Sequence, residues 1–191
     1  MLNWEALENQ CRVCTKCGLC QTRHNVVFGV GPKNADILFV GEGPGEQEDL
    51  QGEPFVGSAG KLLDDMLSII DLGRHNCYIA NIVKCRPPHN RDPQEDEQQA
   101  CIGYLRNQVA LIKPKMIVCL GRVAAKKLIS PDYRITREHG QWICSNGVWM
   151  TAIYHPSALL RDLNKRPDTF EDLLSIRSKY REVHADIGDG L

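Results

Sequence analysis

The sequence predicts an α/β fold in which a parallel sheet is covered on both faces by helices. Three observations carry this. Short apolar runs of strand length alternate along the chain with longer runs of helical periodicity. The strand-like runs are apolar nearly throughout, as strands buried on both faces are. Several of them feed directly into loops rich in glycine, proline and charge, and sheets of this kind bind their ligands beyond the carboxyl ends of the strands.

Residues 35–41 (ADILFVG) are a short apolar run closed by glycine, the first strand. Residues 58–70 set Leu62, Leu63, Met66, Leu67 and Ile70 on one helical stripe. Residues 77–83 (CYIANIV) form the second strand. Asp92-Pro93 reads as an N-cap followed by proline at the first helical position, with acidic residues in the first turn. That helix carries Cys101, Leu105, Val109 and Ile112 on a common face. Met116–Leu120 is the third strand, followed by a short helix through Ala124 and Leu128. Asn146-Gly147, a pair suited to positive φ, joins residues 142–144 and 148–150 in a hairpin, and residues 151–154 lead into His155-Pro156. A last amphipathic helix covers residues 169–182. The loops 41–49, 84–91 and 155–161 are therefore expected to converge.

A chain of 191 residues, 42% hydrophobic and 25% charged, suits one domain over 1–191, with an irregular N-terminal segment to about residue 30 and a tail that frays from about 185. No apolar run approaches the ~20 residues of a membrane span. The start MLNWEALENQ lacks the basic-then-apolar order of a secretory signal, so a cytoplasmic location is expected. A formal net charge of −1 excludes a broadly basic nucleic-acid coat protein. Phosphate contacts would need a local cationic face instead: Lys84, Arg86, His89 and Arg91 in one loop, or Arg161, Lys165 and Arg166 in another. Each cluster reads equally well as a solvated loop.

Nine cysteines in a chain of that expected location suggest a metal or cluster site plus buried thiols rather than disulfides. Cys14 and Cys17 form a Cys-x2-Cys pair, Cys85 follows the second strand, and Cys101 lies early in the next helix. Thiolates suit an iron–sulfur cluster or zinc, and spacing alone does not separate the two. Cys77, Cys119 and Cys144 lie inside apparent strands as small apolar residues, while Cys11 and Cys20 extend the N-terminal array.

The loop after the first strand reads Gly41-Glu42-Gly43-Pro44-Gly45-Glu46-Gln47-Glu48-Asp49, and Pro54-Phe55-Val56-Gly57 follows. Then come Asn81-Ile82-Val83-Lys84-Cys85-Arg86-Pro87 and, later, His155-Pro156-Ser157-Ala158-Leu159-Leu160-Arg161. In this order the motifs resemble those of the iron–sulfur, or family 4, uracil-DNA glycosylases, from about Cys14 to Arg161. The resemblance implies a three-layer α/β/α fold with a central, mainly parallel four-stranded sheet. It also implies a [4Fe–4S] cluster on Cys14, Cys17, Cys85 and Cys101, tying down the N-terminal segment in a structural role.

The activity it implies is hydrolysis of uracil from single- or double-stranded DNA, leaving an abasic site and free uracil, by a monomer with no lyase step. A stacked base must first be rotated out of the helix. Phe55 would stack on it, and Asn81 would pair with N3–H and O4, a pattern that cytosine reverses. His155, as neutral imidazole, would hydrogen-bond O2 as charge builds there. Better-known relatives have an aspartate where this chain has Gly43, so Glu42 becomes the group expected to orient water, helped by the backbone at Gly43. Glu48 would block the methyl group of thymine. Leu159 would fill the space left in the DNA, and Ser157 and Arg161 would touch phosphates. The alternatives are an enzyme of the same fold with broader deaminated-base specificity, hypoxanthine included, a covalently trapping protein, and a non-catalytic, metal-stabilised DNA-binding protein.

Overall fold

Three apolar runs form the parallel heart of the sheet: β1 (Ile37–Gly41), β2 (Tyr78–Asn81) and β3 (Met116–Leu120), buried at every residue. These belong to a computed structural model that describes residues 3–185. Beyond Ala185, the tail expected to fray lies outside the described residues. β5 (Val148–Ile153) runs parallel to β3, and β4 (Ile143–Ser145) pairs antiparallel with β5. The strand order is β2-β1-β3-β5-β4. The sheet has five strands rather than the four expected. The fifth is β4, folded back as an exposed edge because Asn146 and Gly147 both take positive φ, 51° and 79°, as a two-residue hairpin turn of matching twist requires.

Successive strand residues point to opposite faces, and each face has its own apolar cluster. Leu38, Val40, Ala80, Ile117 and Cys119 pack under α1 (Trp4–Arg12), α4 (Glu95–Ile112) and α5 (Arg122–Leu128). Ile37, Phe39, Ile79, Val118 and Leu120 pack under α3 (Ser58–Ile69), α7 (Pro156–Arg161) and α8 (Arg166–Ala185). This is the three-layer arrangement expected. Two further short helices, α2 (Glu46–Gln51) and α6 (Ile135–Glu138), lie in connecting segments.

Two local expectations change. The N-terminal segment is not irregular throughout: α1 begins it, capped by the Asn3 side chain, which accepts from the Ala6 amide at 2.8 Å. Its Leu7 and Cys11, four residues apart, are buried on one stripe. Asp92 is not the cap of α4. Proline disfavours helical backbone in the residue before it, so the helix starts after Pro93. The cap is Gln94, whose amide donates to the Glu97 carboxylate at 2.7 Å. Asp92 is freed to pair with Arg122 at 2.6 Å.

Candidate active site at the carboxyl end of the sheet

A cleft of about 590 Å3 opens where β1, β2, β3 and β5 end. Glu42, Gly43, Glu48, Phe55, Asn81, His155, Ser157 and Arg161 all line it, so the loops after β1 and β5 converge as expected. The loop after β2 divides. Pro87, Asn90 and Arg91 reach the cleft, whereas Lys84 and Cys85 turn into a second cavity on the first cluster's side of the sheet.

Asn81 is the last residue of β2 and 1% exposed, and among the described residues its side-chain Oδ1 has no hydrogen-bond partner. A buried carbonyl without a donor costs about 1–3 kcal/mol, so it is a site waiting for one. Glycine at 41 makes room for it: a Cβ there would lie 2.4 Å from Asn81 Oδ1 and 2.6 Å from Phe55 Cζ. The Phe55 ring is 5.6 Å from the His155 ring, centroid to centroid.

His155 caps α7, and its Nδ1 accepts from the Ser157 amide at 3.1 Å. The Ser157 hydroxyl lies on the same nitrogen at 2.8 Å. Nδ1 is therefore the acceptor, and the ring proton sits on Nε2, the remaining nitrogen. Burial, then the Arg161 charge, push the imidazole down to about 4, so the ring is neutral at pH 7. Gly121 (φ 91°), at the end of β3, permits this packing, since a Cβ there would fall 2.8 Å from His155 Cβ.

Any side chain at position 43 would bring its Cβ within 2.7 Å of Val83 Cγ2, a fully buried methyl group. An aspartate there would require Val83 to shift. Glu42, half-buried, is the nearest carboxyl in the chain, raised to about 7 by burial and by Asp92, and opposed by Arg122. Asp92 and Arg122 are cleft residues that sequence reasoning missed. The rule that strand ends form sites would have found Arg122, which lies two residues beyond the end of β3. Glu48 is committed: its carboxylate accepts from the amides of Gly45 (3.1 Å), Val56 (2.9 Å) and Gly57 (2.8 Å).

Leu159 does not reach the cleft. It is 2% exposed and packs in the core with Leu63, Leu67 and Leu173. Leu160 is the exposed member of the pair at 43%. α7 turns one stripe inward, and position 159 falls on it. Arg161 and Lys165 stand at the rim.

In the second cavity, Cys11, Cys14, Cys17, Cys20, Cys85 and Cys101 meet beside Arg23 and Lys84. The Arg23 guanidinium donates to Cys85 Sγ at 3.3 Å, and the Lys84 amide donates to Cys101 Sγ at 3.3 Å. The Lys84 ammonium is 1% exposed, donates to the neutral Gln108 Oε1 at 2.7 Å, and is pushed down to about 8 by burial. Among the described residues, no three cysteine, histidine or acidic side chains close on a point that could hold a single metal ion. Buried thiols with cationic donors still form a donor set that fits an anionic metal–thiolate group. Cys77 and Cys119 are core thiols inside the second-strand and third-strand regions, as expected, whereas Cys144 is exposed on the edge strand.

Residues 28–176 match the model of the uracil DNA glycosylase superfamily. The chain is 49% identical over 180 residues to the type-4 uracil-DNA glycosylase of Archaeoglobus fulgidus, covering 89% of this chain and 87% of that one. It is 44% identical over 186 residues to that of Sulfurisphaera tokodaii, covering 91% and 83%. With that of Thermotoga maritima the identity is 41% over 180 residues, covering 91% and 93%.

Proposed function

The chain belongs to the uracil DNA glycosylase superfamily, and on that premise we propose that it hydrolyses the N-glycosidic bond of uracil in DNA, releasing the free base and leaving an abasic site for repair. The observation that carries the assignment to the cleft is the unpartnered Oδ1 of Asn81. An acceptor held there suits the N3–H of uracil, with the side-chain amide left to donate to O4. Cytosine presents an acceptor at N3, so it would leave Oδ1 buried against a lone pair.

The flipped base would lie on the Phe55 ring, with O2 toward His155 Nε2–H. A neutral donor suits this position, because it stabilises the oxyanion as the bond breaks without holding the ground state too tightly. Glu42, in its carboxylate form, would orient the water that attacks the sugar, because position 43, packed against Val83, holds glycine rather than an aspartate. Glu48, immobilised by three amides, serves as a rigid wall against the methyl group of thymine. Ser157 and Arg161 would contact phosphates, and exposed Leu160 is better placed than Leu159 to enter the gap in the duplex. Among the described residues no helix is long and apolar enough to cross a membrane.

We further propose that Cys14, Cys17, Cys85 and Cys101 hold a [4Fe–4S] cluster. What supports this reading is that these four thiols meet in one cavity beside the cationic donors Arg23 and Lys84. The group would supply cross-links rather than chemistry at the base: two ligands lie in the N-terminal segment, one follows β2 and one lies in α4. Lys84 and Arg23 are the cations at hand to balance its thiolates.

The test is base release from an oligonucleotide bearing one uracil, beside matched strands bearing thymine, cytosine or hypoxanthine. Release from the uracil strand alone, leaving an alkali-labile site, is expected. Equal release of hypoxanthine would move the assignment to a broader glycosylase, and no release from any strand would overturn it.

A further inference from the structure

Phe55 is a non-glycine residue with φ at +55°, in the left-handed region. Such a backbone costs on the order of 1–3 kcal/mol and persists only where the surroundings hold it. Here they hold it from both sides. The Arg74 guanidinium donates from Nη1 to the carbonyl of Pro54 at 2.9 Å and from Nη2 to the carbonyl of Phe55. On the far side of the ring residue, Glu48 Oε1 takes the amides of Val56 and Gly57. Gly60 completes the fit, because a Cβ at that position would stand 1.8 Å from the Phe55 carbonyl oxygen.

Arg74 is itself aimed. Its Nε donates to Asp64 Oδ1 at 2.9 Å, and Nη2 lies 3.4 Å from Oδ2, so a carboxylate on α3 fixes the plane of the fork. Arg74 does not line the cleft. Relaxing φ at residue 55 to an ordinary negative value would rotate the 54–55 peptide and pull the Pro54 carbonyl off Nη1. The arginine therefore opposes the one backbone movement that would swing the ring away from its place between Gly41 and His155.

We propose that Arg74, oriented by Asp64 and lying outside the cleft, is a positioning residue that clamps the 54–55 carbonyls and so presents the Phe55 ring to the flipped base. This rests on the reading of Phe55 as the stacking surface. A guanidinium is required rather than any cation, because two carbonyls and a carboxylate are engaged by one rigid plane.

A double-mutant cycle tests it. Steady-state uracil release and inhibition by free uracil are measured for Arg74→Ala, Arg74→Lys, Phe55→Ala and the two double variants, with Tm recorded for each. Arg74→Ala is expected to lower kcat/KM by about tenfold, the scale of the strain it restrains, and to weaken free-uracil inhibition in parallel. Arg74→Lys should recover only part of this. In the Phe55→Ala background the same substitutions should change either constant by less than about twofold. Multiplying effects of Arg74→Ala and Phe55→Ala, or an unchanged kcat/KM in Arg74→Ala, would overturn the clamp. Full activity of Phe55→Ala would instead sink the stacking role on which it depends. If Arg74→Ala does not fold, Asp64→Asn, which frees the guanidinium to turn, carries the same cycle with the same two outcomes.

Discussion

The cleft at the carboxyl end of the sheet and the cysteine cavity share one stretch of chain, and they are built in opposite ways. Asn81 closes β2 in the cleft, and three residues later Lys84 and Cys85 sit in the cavity. In the cleft the polar groups are held by backbone, Glu48 by three amides and His155 by the Ser157 amide, while the Arg74 side chain clamps the carbonyls of Pro54 and Phe55. Its cations Arg161 and Lys165 stand at the rim, and the group proposed to read the base is a neutral amide with a vacant acceptor. The cavity has buried cation and thiols together, with only Gln108 to receive the Lys84 ammonium. A buried ammonium facing a neutral partner is expensive unless an anion joins it. On the proposed reading the cleft would recognise a neutral ligand by its hydrogen-bond pattern. The cavity would balance the charge of a bound cluster and, through it, fasten α1 and the loop after it to β2 and α4.

The sharpest way to break this contrast is in the cavity. If the proposed cluster is there, Cys85→Ser is expected to lower iron content per chain and Tm and to cost most of the soluble yield. The exposed Cys144→Ser should leave both unchanged. Equal tolerance of the two substitutions would remove the cavity's structural role.

In the cleft the effect should fall on catalysis with Tm nearly constant. Asn81→Ala is expected to lower kcat/KM for uracil by about a hundredfold or more. A small effect there, or a large drop in Tm, would make Asn81 a structural residue.

The pH profile separates the two titrating groups of the cleft. His155, pushed down to about 4, stays neutral through the working range, so the acid limb of kcat/KM should report Glu42 alone, near pH 7. Activity should fall below that pH by at most tenfold per unit. Glu42→Gln should abolish the limb along with most of the rate. The stability signs are opposite. Glu42 has its folded value raised from 4.5 to about 7, so its contribution is present below 4.5 and is lost as pH rises through about 7. His155 has its value lowered from 6.5, so its contribution is present above 6.5 and is lost as pH falls through about 4.

The smallest catalytic effect is expected at α7. Leu160→Ala should reduce excision from duplex DNA several-fold and from single strands hardly at all, with Tm unchanged. Leu159→Ala should do the reverse, lowering stability by about 2–5 kcal/mol as a buried leucine does. Identical behaviour of the two would erase the distinction between core and DNA-facing leucine.

Much of the cleft was legible in the chain because strand ends carry it. β1, β2 and β3 announce themselves as apolar runs, the loops after β1 and β5 were expected to meet, and they do. Gly43 and Asn81 could be singled out from motif order alone. Asp92 could not: its neighbour Pro93 made it look like a cap, and only Arg122, from the end of another strand, decided otherwise. The expectation fell on Leu159 rather than Leu160, and nothing local separates the two, since both are apolar and adjacent.

By itself the sequence determined the alternation of strands and helices, the Asn146-Gly147 turn and the residue types in the cleft. These depend on periodicity and on backbone freedom, which are properties of neighbouring residues. Tertiary structure decided which leucine faces the core and that Glu48 binds amides. It also decided that six cysteines from the N-terminal segment, the end of β2 and α4 share one cavity, and that Arg74 grips the Phe55 loop from nineteen residues away. Those are contacts between distant parts of the chain, and their partners are chosen by packing, which no local pattern records.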